Sequence, residues 1–290
     1  MTKFKDYIQL FRIKHWIKNF LIFLPLLFSR EMFVYNKVLL TFISFISFCF
    51  ISSSIYIFND IRDFNKDRVH DIKKNRPIAS LRVSIKEGYI LMFILLLIGL
   101  FINFLFIKDN YSFIFLIIYF LINIFYSLGF KNIPILDIII LVSGFVIRVI
   151  YGSVVGDIEL SNWLYLTVMS ASFFMGFGKR RNEILKNGDN SRVVLKYYTK
   201  DFLDKFLYVF LVLTIVFYSL WSIDSTTISR LNNSYMIYTI PFVIVIFMKY
   251  CLDIEGDSYG DPVDVLTSDK VLMILVLLFV IVMFYLVYFL

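Results

Sequence analysis

Between Asn59 and Ser80 the chain reads NDIRDFNKDRVHDIKKNRPIAS, which places four aspartates and six Lys or Arg in 22 residues. If this stretch is helical, offsets of three and seven residues bring Asp60, Asp63 and Asp67 within an arc of about 60°. Three carboxylates on one face repel one another unless a cation sits among them. Hard oxygen donors of this kind, with Asn59 leading the series, suit Mg²⁺, which binds through one or two carboxylates plus the phosphates of a substrate. The plainer alternative is a solvated helix on which each Asp pairs with Arg62, Lys66 or Arg68 three or four residues away. The four-residue step from Asp63 to Asp67 and the basic tail ending in RPIAS favour the metal and phosphate reading.

A second cluster, GKRRNEILKNGD, carries Lys179, Arg180 and Arg181 against only Glu183 and Asp189. Such cations bind phosphate directly, Arg by its fork and Lys as a point charge. A third stretch, EGDSYGDPVDVLTSDK, is acidic, and Gly256, Gly260 and Pro262 are turn formers. A lid, a metal contact, a hydrogen bond to a sugar hydroxyl and a simple turn all fit it. His70 lies in a charged loop and reads as a hydrogen-bonding or phosphate-facing group more readily than as a base.

The elements that carry these residues are apolar. Hydrophobic residues make up 60% of the 290, and runs of about 18 or more, the length needed to cross ~30 Å of hydrocarbon, recur along the chain. Nine spans are expected, at 17–29, 38–58, 88–107, 111–128, 135–155, 162–178, 206–223, 235–250 and 271–289, forming one all-α helical bundle over residues 1–290. Continuous apolar runs exclude a β-barrel, and lipid forces each segment to satisfy its own backbone. Residues 1–16 are basic and amphipathic, the pattern of a helix on the membrane surface.

Lys and Arg set the orientation. With the N-terminus inside, 24 of the 29 fall on the inner side and four on the outer (Arg30, Lys37, Lys108, Arg230), with Arg148 left in the membrane. The positive-inside rule then places the N-terminus in the cytoplasm and the C-terminus outside. The same rule accounts for the net charge of +7, so no nucleic-acid partner is implied. Cys49 and Cys251 fall in apolar runs and read as packing residues. Asp60–Asp67, Lys131, Lys179–Glu183 and Asp253–Asp264 all end up at the cytoplasmic face, joined by Lys14, Lys18 and Asn19, so they can line one polar chamber. Arg148, midway along its span at a cost of ~2.5–3.5 kcal/mol, must face the bundle interior. Asp137, ~16 Å away by helical rise, is too distant to pair with it.

NDIRDFNKDR resembles the first aspartate-rich motif, N-D-x-x-D-x-x-x-D, of the UbiA superfamily of intramembrane prenyltransferases. RIKHWIKNFLIFLP, YSLGFKNIPILDIIILVSGFVIRVIYGS, GFGKRRNE and GDPVDVLTSDKVL are similar, in order, to landmarks of its decaprenyl-phosphate phosphoribosyltransferase branch. Most of the superfamily has a second aspartate-rich motif where this chain has GKRRNE, which narrows the resemblance to that branch.

The resemblance implies a Mg²⁺-dependent transfer of 5-phosphoribose from 5-phosphoribosyl diphosphate to a polyprenyl phosphate at the inner face of the plasma membrane. The product would be a precursor for cell-envelope polymers. Asn59, Asp60, Asp63 and Asp67 would then hold Mg²⁺-diphosphate, with the three aspartates as the catalytic set. Lys18, Lys73, Arg76, Lys179 and Arg180 would bind phosphates, and Arg148 would line the base of the chamber with them. A prenyl transfer from prenyl diphosphate to an aromatic acceptor is the alternative within the superfamily, and a transporter is the alternative outside it.

Overall fold

Apolar runs of this length leave a backbone in lipid no partner but itself, and the chain answers with helices throughout. A computed structural model describes residues 2–71, 73–187, 192–256 and 260–290, and no strand occurs among them. In chain order the α-helices are α1 (Thr2–Phe11), α2 (Leu24–Phe28), α3 (Tyr35–Arg62), α4 (Phe64–Arg68), α5 (Ile85–Phe106), α6 (Asn110–Leu128) and α7 (Leu136–Gly156). They continue as α8 (Asn162–Asn187), α9 (Lys200–Ile223), α10 (Ser225–Leu231), α11 (Ile240–Glu255), α12 (Pro262–Ser268) and α13 (Lys270–Tyr288). A 3₁₀ segment, Ile13–Phe23, joins α1 to α2.

Seven helical segments among the described residues are long and apolar enough to cross a membrane: α3, α5, α6, α7, α9, Tyr235–Glu255 and α13. This is the pattern of a multi-pass membrane protein. Two of the nine expected spans take another form. The stretch 17–29 is 3₁₀ helix followed by the short α2, which restarts at Pro25 in its first turn, the position where a missing N–H costs nothing. The stretch 162–178 is the front of α8, a 26-residue helix whose Ser, Thr and Asn residues and Lys179–Glu183 make it too polar to qualify on composition. The surface helix expected over 1–16 ends at Phe11, because Arg12 takes a left-handed conformation (φ 52°) and the chain tightens into 3₁₀.

Two helices sit centrally. In their most apolar stretches α3 and α7 are 61% and 56% buried, against 17–28% for the other five. The inner face of α3 is accordingly polar, and Ser47 Oγ donates to the Gly99 carbonyl of α5 at 2.7 Å. The 3₁₀ segment lies directly on α7: a Cβ at Gly152 would stand 2.0 Å from the Ile22 carbonyl oxygen, so only glycine permits this approach. Trp16 Nε1 donates to Ser53 Oγ at 3.0 Å and fixes the same segment to α3.

The two ends of the bundle differ. At the end where α3 begins, Lys37 donates to the Asp157 carbonyl closing α7 at 3.2 Å, and Arg30 donates to the Leu231 carbonyl at 2.7 Å. The other end, ~42 Å away along α3 by helical rise, gathers the aspartates and the cationic cluster. Both cysteines are free thiols, Cys251 half-buried and Cys49 buried, where its Sγ accepts from Asn19 Nδ2 at 3.1 Å.

Candidate active site

The acidic half forms where α3 stops. Asp63 caps its C-terminus and a short α4 restarts immediately, so the expected single helical face is broken between Asp60 and Asp67. Asp60 is 3% exposed and accepts from the Arg12 guanidinium. Arg76 Nη1 donates to Asp60 Oδ1 at 3.0 Å and to Asp67 Oδ2 at 2.7 Å. Asp63 turns elsewhere and takes both of its bonds from Lys131 Nζ, at 2.6 and 2.8 Å. Asn59 Oδ1 accepts from Ser127 Oγ at 3.2 Å.

Neither simple expectation survives intact. Among the described residues no ion pair joins these aspartates to Arg62, Lys66 or Arg68, and no group of three His, Cys, Asp or Glu is arranged to hold a metal alone. The physical reason is the low dielectric: clustered carboxylates at a buried helix end draw cations from other elements. What remains is a convergence of two. One oxygen of Asp60 and one of Asp67 aim at a single point, which a guanidinium nitrogen of Arg76 occupies. Two carboxylates meeting at a cation position match the donor set of a Mg²⁺ ion that completes its shell with water and substrate phosphate.

The basic half is built on α8, the 3₁₀ segment and the turn before α12. Asp261 Oδ2 accepts from Lys179 Nζ at 2.9 Å and from Lys18 Nζ at 3.2 Å. Burial alone would raise this carboxyl, but Lys179 and Lys18 outweigh it and hold Asp261 far below the usual carboxylate range. Its placement depends on Gly260, whose φ of +73° and distance of 2.9 Å from a built Cβ to the Lys179 Cα leave no room for a side chain. Lys14 and Asp264 add a second tie at 2.8 Å. Within the acidic loop, residues 257–259 lie outside the described residues, as does Asp189.

Arg180 behaves differently from Lys179. It is fully buried: Nε donates to Asp137 Oδ2 at 2.5 Å, Nη1 to Glu183 Oε2 at 2.7 Å and Nη2 to the Tyr126 hydroxyl at 3.1 Å. Tyr198 completes Asp137, donating to Oδ1 at 2.6 Å. Burial would raise the Glu183 carboxyl, yet Arg180 and Arg192 bring it down to about 2. Every nitrogen of Arg180 is thus engaged, and its place is a brace under the site.

The halves meet. Lys73 lies within electrostatic reach of Arg192, Arg76, Asp67 and Glu183, and burial, followed by Arg192, lowers its ammonium. The Arg12 guanidinium stands 5.1 Å over the Tyr56 ring, and the His15 ring lies 5.6 Å from the same ring. His70 is lowered by burial and then by Lys73, while Asp71 stays exposed. Deeper, Arg148 is 4% exposed. It donates through Nε to Asn19 Oδ1 at 2.7 Å and through Nη2 to the Tyr119 hydroxyl at 2.8 Å, and it also bonds the Gly144 carbonyl. Phe48 and Tyr119 flank it at 5.0 and 4.9 Å. Asn19 binds Arg148 while its neighbour Lys18 binds Asp261, which puts Arg148 directly beneath the basic half.

Arg12, Tyr56, Tyr126, Arg192, Tyr198 and the pairing role of Asp137 are the parts that spacing does not reveal. Arg12 pairs across 48 residues and Asp137 across 43.

This chain matches the UbiA prenyltransferase family over residues 22–262. A decaprenyl-phosphate phosphoribosyltransferase from Corynebacterium glutamicum is 35% identical over 283 residues, spanning 94% of this chain and 84% of the relative. The enzyme of that name from Mycolicibacterium smegmatis is 34% identical over 284 residues, spanning 93% and 88%. Among solved structures, a UbiA homologue from Archaeoglobus fulgidus bound to GPP and Mg²⁺ superposes with a TM-score of 0.71 at 19% identity, over 97% of this chain and 99% of that one. Digeranylgeranylglyceryl phosphate synthase gives 0.69 at 22% identity, over 98% and 99%. At these identities the structures speak to the fold, and the sequence relatives and the family match carry the assignment. On that footing the chain belongs to the UbiA prenyltransferase family.

Proposed function

We propose that this protein transfers the 5-phosphoribosyl group of 5-phosphoribosyl diphosphate to the phosphate of a polyprenyl phosphate and releases diphosphate. The observation that carries the reading is the pair Lys18 and Lys179, converged on one anionic oxygen where most of the family has a second set of aspartates. A site with one acidic half and one cationic half suits a donor that bears phosphate at both ends.

Asp60 and Asp67, with Asn59 and Asp63 beside them, would hold Mg²⁺. When bound, the ion would neutralise charge on the departing diphosphate. The remaining work falls to the chain. Lys18 and Lys179 bind phosphate oxygens in place of the Asp261 carboxylate, and Arg76 and Lys73 face the diphosphate from the loop after α4. The bond from the sugar carbon to the diphosphate oxygen breaks, and a phosphate oxygen of the lipid forms the new bond to that carbon. Positive charge develops on the sugar and negative charge on the leaving group, so fixed cations supply the main stabilisation. The lipid phosphate is already ionised near pH 7, and no strong general base is required. Arg180 positions α8 rather than touching substrate, and Arg148 closes the chamber below Lys18.

The chain works as one integral-membrane unit of nine crossings, with the stretches 17–29 and 162–178 counted among them. Its N-terminus faces the cytoplasm, its C-terminus lies outside, and the site opens at the inner face of the plasma membrane. The positive-inside count supports this orientation. The lipid product serves cell-envelope biogenesis. The test is transfer by purified protein with Mg²⁺, sugar-labelled donor and decaprenyl or undecaprenyl phosphate. Label entering the lipid fraction supports the reading. No label there, with prenyl transfer to an aromatic acceptor instead, overturns it.

A further inference from the structure

Lysines and arginines offer only donors, whereas a ribose brings hydroxyl groups that must also donate. The carboxylates around the chamber are already engaged: Asp60 and Asp67 by Arg76, Asp63 by Lys131, Asp261 by Lys18 and Lys179, and Glu183 by Arg180. Ser44 Oγ, Ser170 Oγ and Asp253 Oδ2 are buried without a partner among the described residues, and so is a ring nitrogen of His15, which lies within electrostatic reach of Lys18 and Lys179. For that nitrogen, Nδ1, this is a costly state for a buried acceptor unless a ligand uses it.

The ring is held in place. Its backbone N–H donates to the Arg12 carbonyl at 2.8 Å, the next residue, Trp16, is tied to Ser53, and the ring packs against Tyr56 at 5.6 Å. Lys18, Arg12, Lys179 and Asp261 are its charged neighbours, and burial followed by Lys18 brings its pKa down to about 4. At neutral pH the imidazole is therefore uncharged. It is an acceptor set among cations.

We infer that His15 determines sugar specificity: with its proton on Nε2, His15 Nδ1 accepts a hydrogen bond from a ribose hydroxyl of the donor while Lys18 and Lys179 hold phosphate. This rests on the phosphoribosyl reading and adds the residue that reads the sugar. A site built to bond a hydroxyl rejects the analogue that lacks it, because the protein group is left unpaired.

The test is a cycle between residue and hydroxyl. Wild type, His15→Leu and His15→Asn are assayed with 5-phosphoribosyl diphosphate and with its 2-deoxy and 3-deoxy counterparts, using the full chain, Mg²⁺ and decaprenyl phosphate. His15→Leu is expected to lower kcat/KM on the ribosyl donor by roughly 5- to 150-fold, the value of one unsatisfied buried polar group. On one of the two deoxy donors it should cause little further loss. His15→Asn, whose Oδ1 can stand near the position of Nδ1, should recover part of the ribosyl activity and also guards against a folding defect in the leucine variant. Equal proportional losses on all three donors, or unchanged ribosyl activity in both variants, overturns the assignment. Wild type that moves no label from the ribosyl donor overturns the reaction reading and this inference together, and the wild-type reaction tells the two failures apart.

Discussion

The acidic half at the end of α3 and the basic half on α8 meet the same difficulty, like charges crowded in a poorly solvated place, and meet it in different ways. Around α3 each carboxylate borrows a cation from a distant element: Asp60 from Arg12 and Arg76, Asp67 from Arg76, Asp63 from Lys131. On α8 one cation is fixed and another is loosely held. Arg180, with no exposure, is clamped by Asp137 and Glu183, whereas Lys179, 22% exposed at its side chain, shares the single carboxylate of Asp261 with Lys18. Contacts of the first kind hold the bundle together, and contacts of the second kind can be exchanged for a ligand. The proposed division between bracing and binding thus falls between two consecutive residues, Arg180 and Lys179.

Substitutions that treat the two kinds alike should give unlike results. The largest effect is expected for Arg180→Ala, which leaves Asp137 buried without its cation and Glu183 with Arg192 alone. A loss of about 3–5 kcal/mol of stability, visible as a lowered unfolding temperature or as failure to accumulate in the membrane, is the expected outcome. A stable Arg180→Ala protein with weakened donor binding would instead move this residue to the binding side of the comparison. Next comes Asp67→Asn, which keeps shape but removes charge from the point shared with Asp60. Turnover should fall on the order of 10²–10³-fold with unfolding temperature little changed, and an equal loss of both would mark Asp67 as merely structural.

Lys179→Met tests the exchangeable contact. Loss of one charge-assisted bond to phosphate, ~1.5–3 kcal/mol, corresponds to KM for the donor rising roughly 10- to 150-fold, while the fold is retained. The smallest effect concerns pH. Glu183 has an ordinary value of 4.5 and is held at about 2 when folded. A carboxylate lowered on folding adds stability that is complete above 4.5 and is lost as pH falls toward 2. Unfolding of the wild type in acid should therefore show a slope across that window which Glu183→Gln flattens.

Much of this arrangement is legible in residue order, and the rest is hidden for physical reasons. The apolar runs at 88–107 and 111–128 correspond to Ile85–Phe106 and Asn110–Leu128, because length and hydropathy are local properties that lipid enforces. The segment before α2 reads as an ordinary helical span, and its 3₁₀ winding and its seat against Gly152 of α7 are not visible in its own residues. The site shows the same division. Residue type and spacing single out Asp60, Asp63, Asp67 and Lys179 as candidates, but helical geometry alone would put the three aspartates on one face, whereas tertiary pairing turns Asp63 toward Lys131. Arg180, which reads like its neighbour Lys179, becomes a brace only through Asp137, 43 residues earlier. His15 comes to lie against Tyr56 of α3 because the 3₁₀ segment folds back onto that helix, a contact its own neighbours in sequence do not announce.

The most direct test of the two-sided site is binding of labelled 5-phosphoribosyl diphosphate to the purified protein, with and without Mg²⁺, in wild type, Asp67→Asn and Lys179→Met. Binding that needs Mg²⁺ in wild type, loses that dependence in Asp67→Asn and weakens at every Mg²⁺ concentration in Lys179→Met is the expected result. Donor binding in Asp67→Asn that responds to Mg²⁺ just as the wild type does would contradict it.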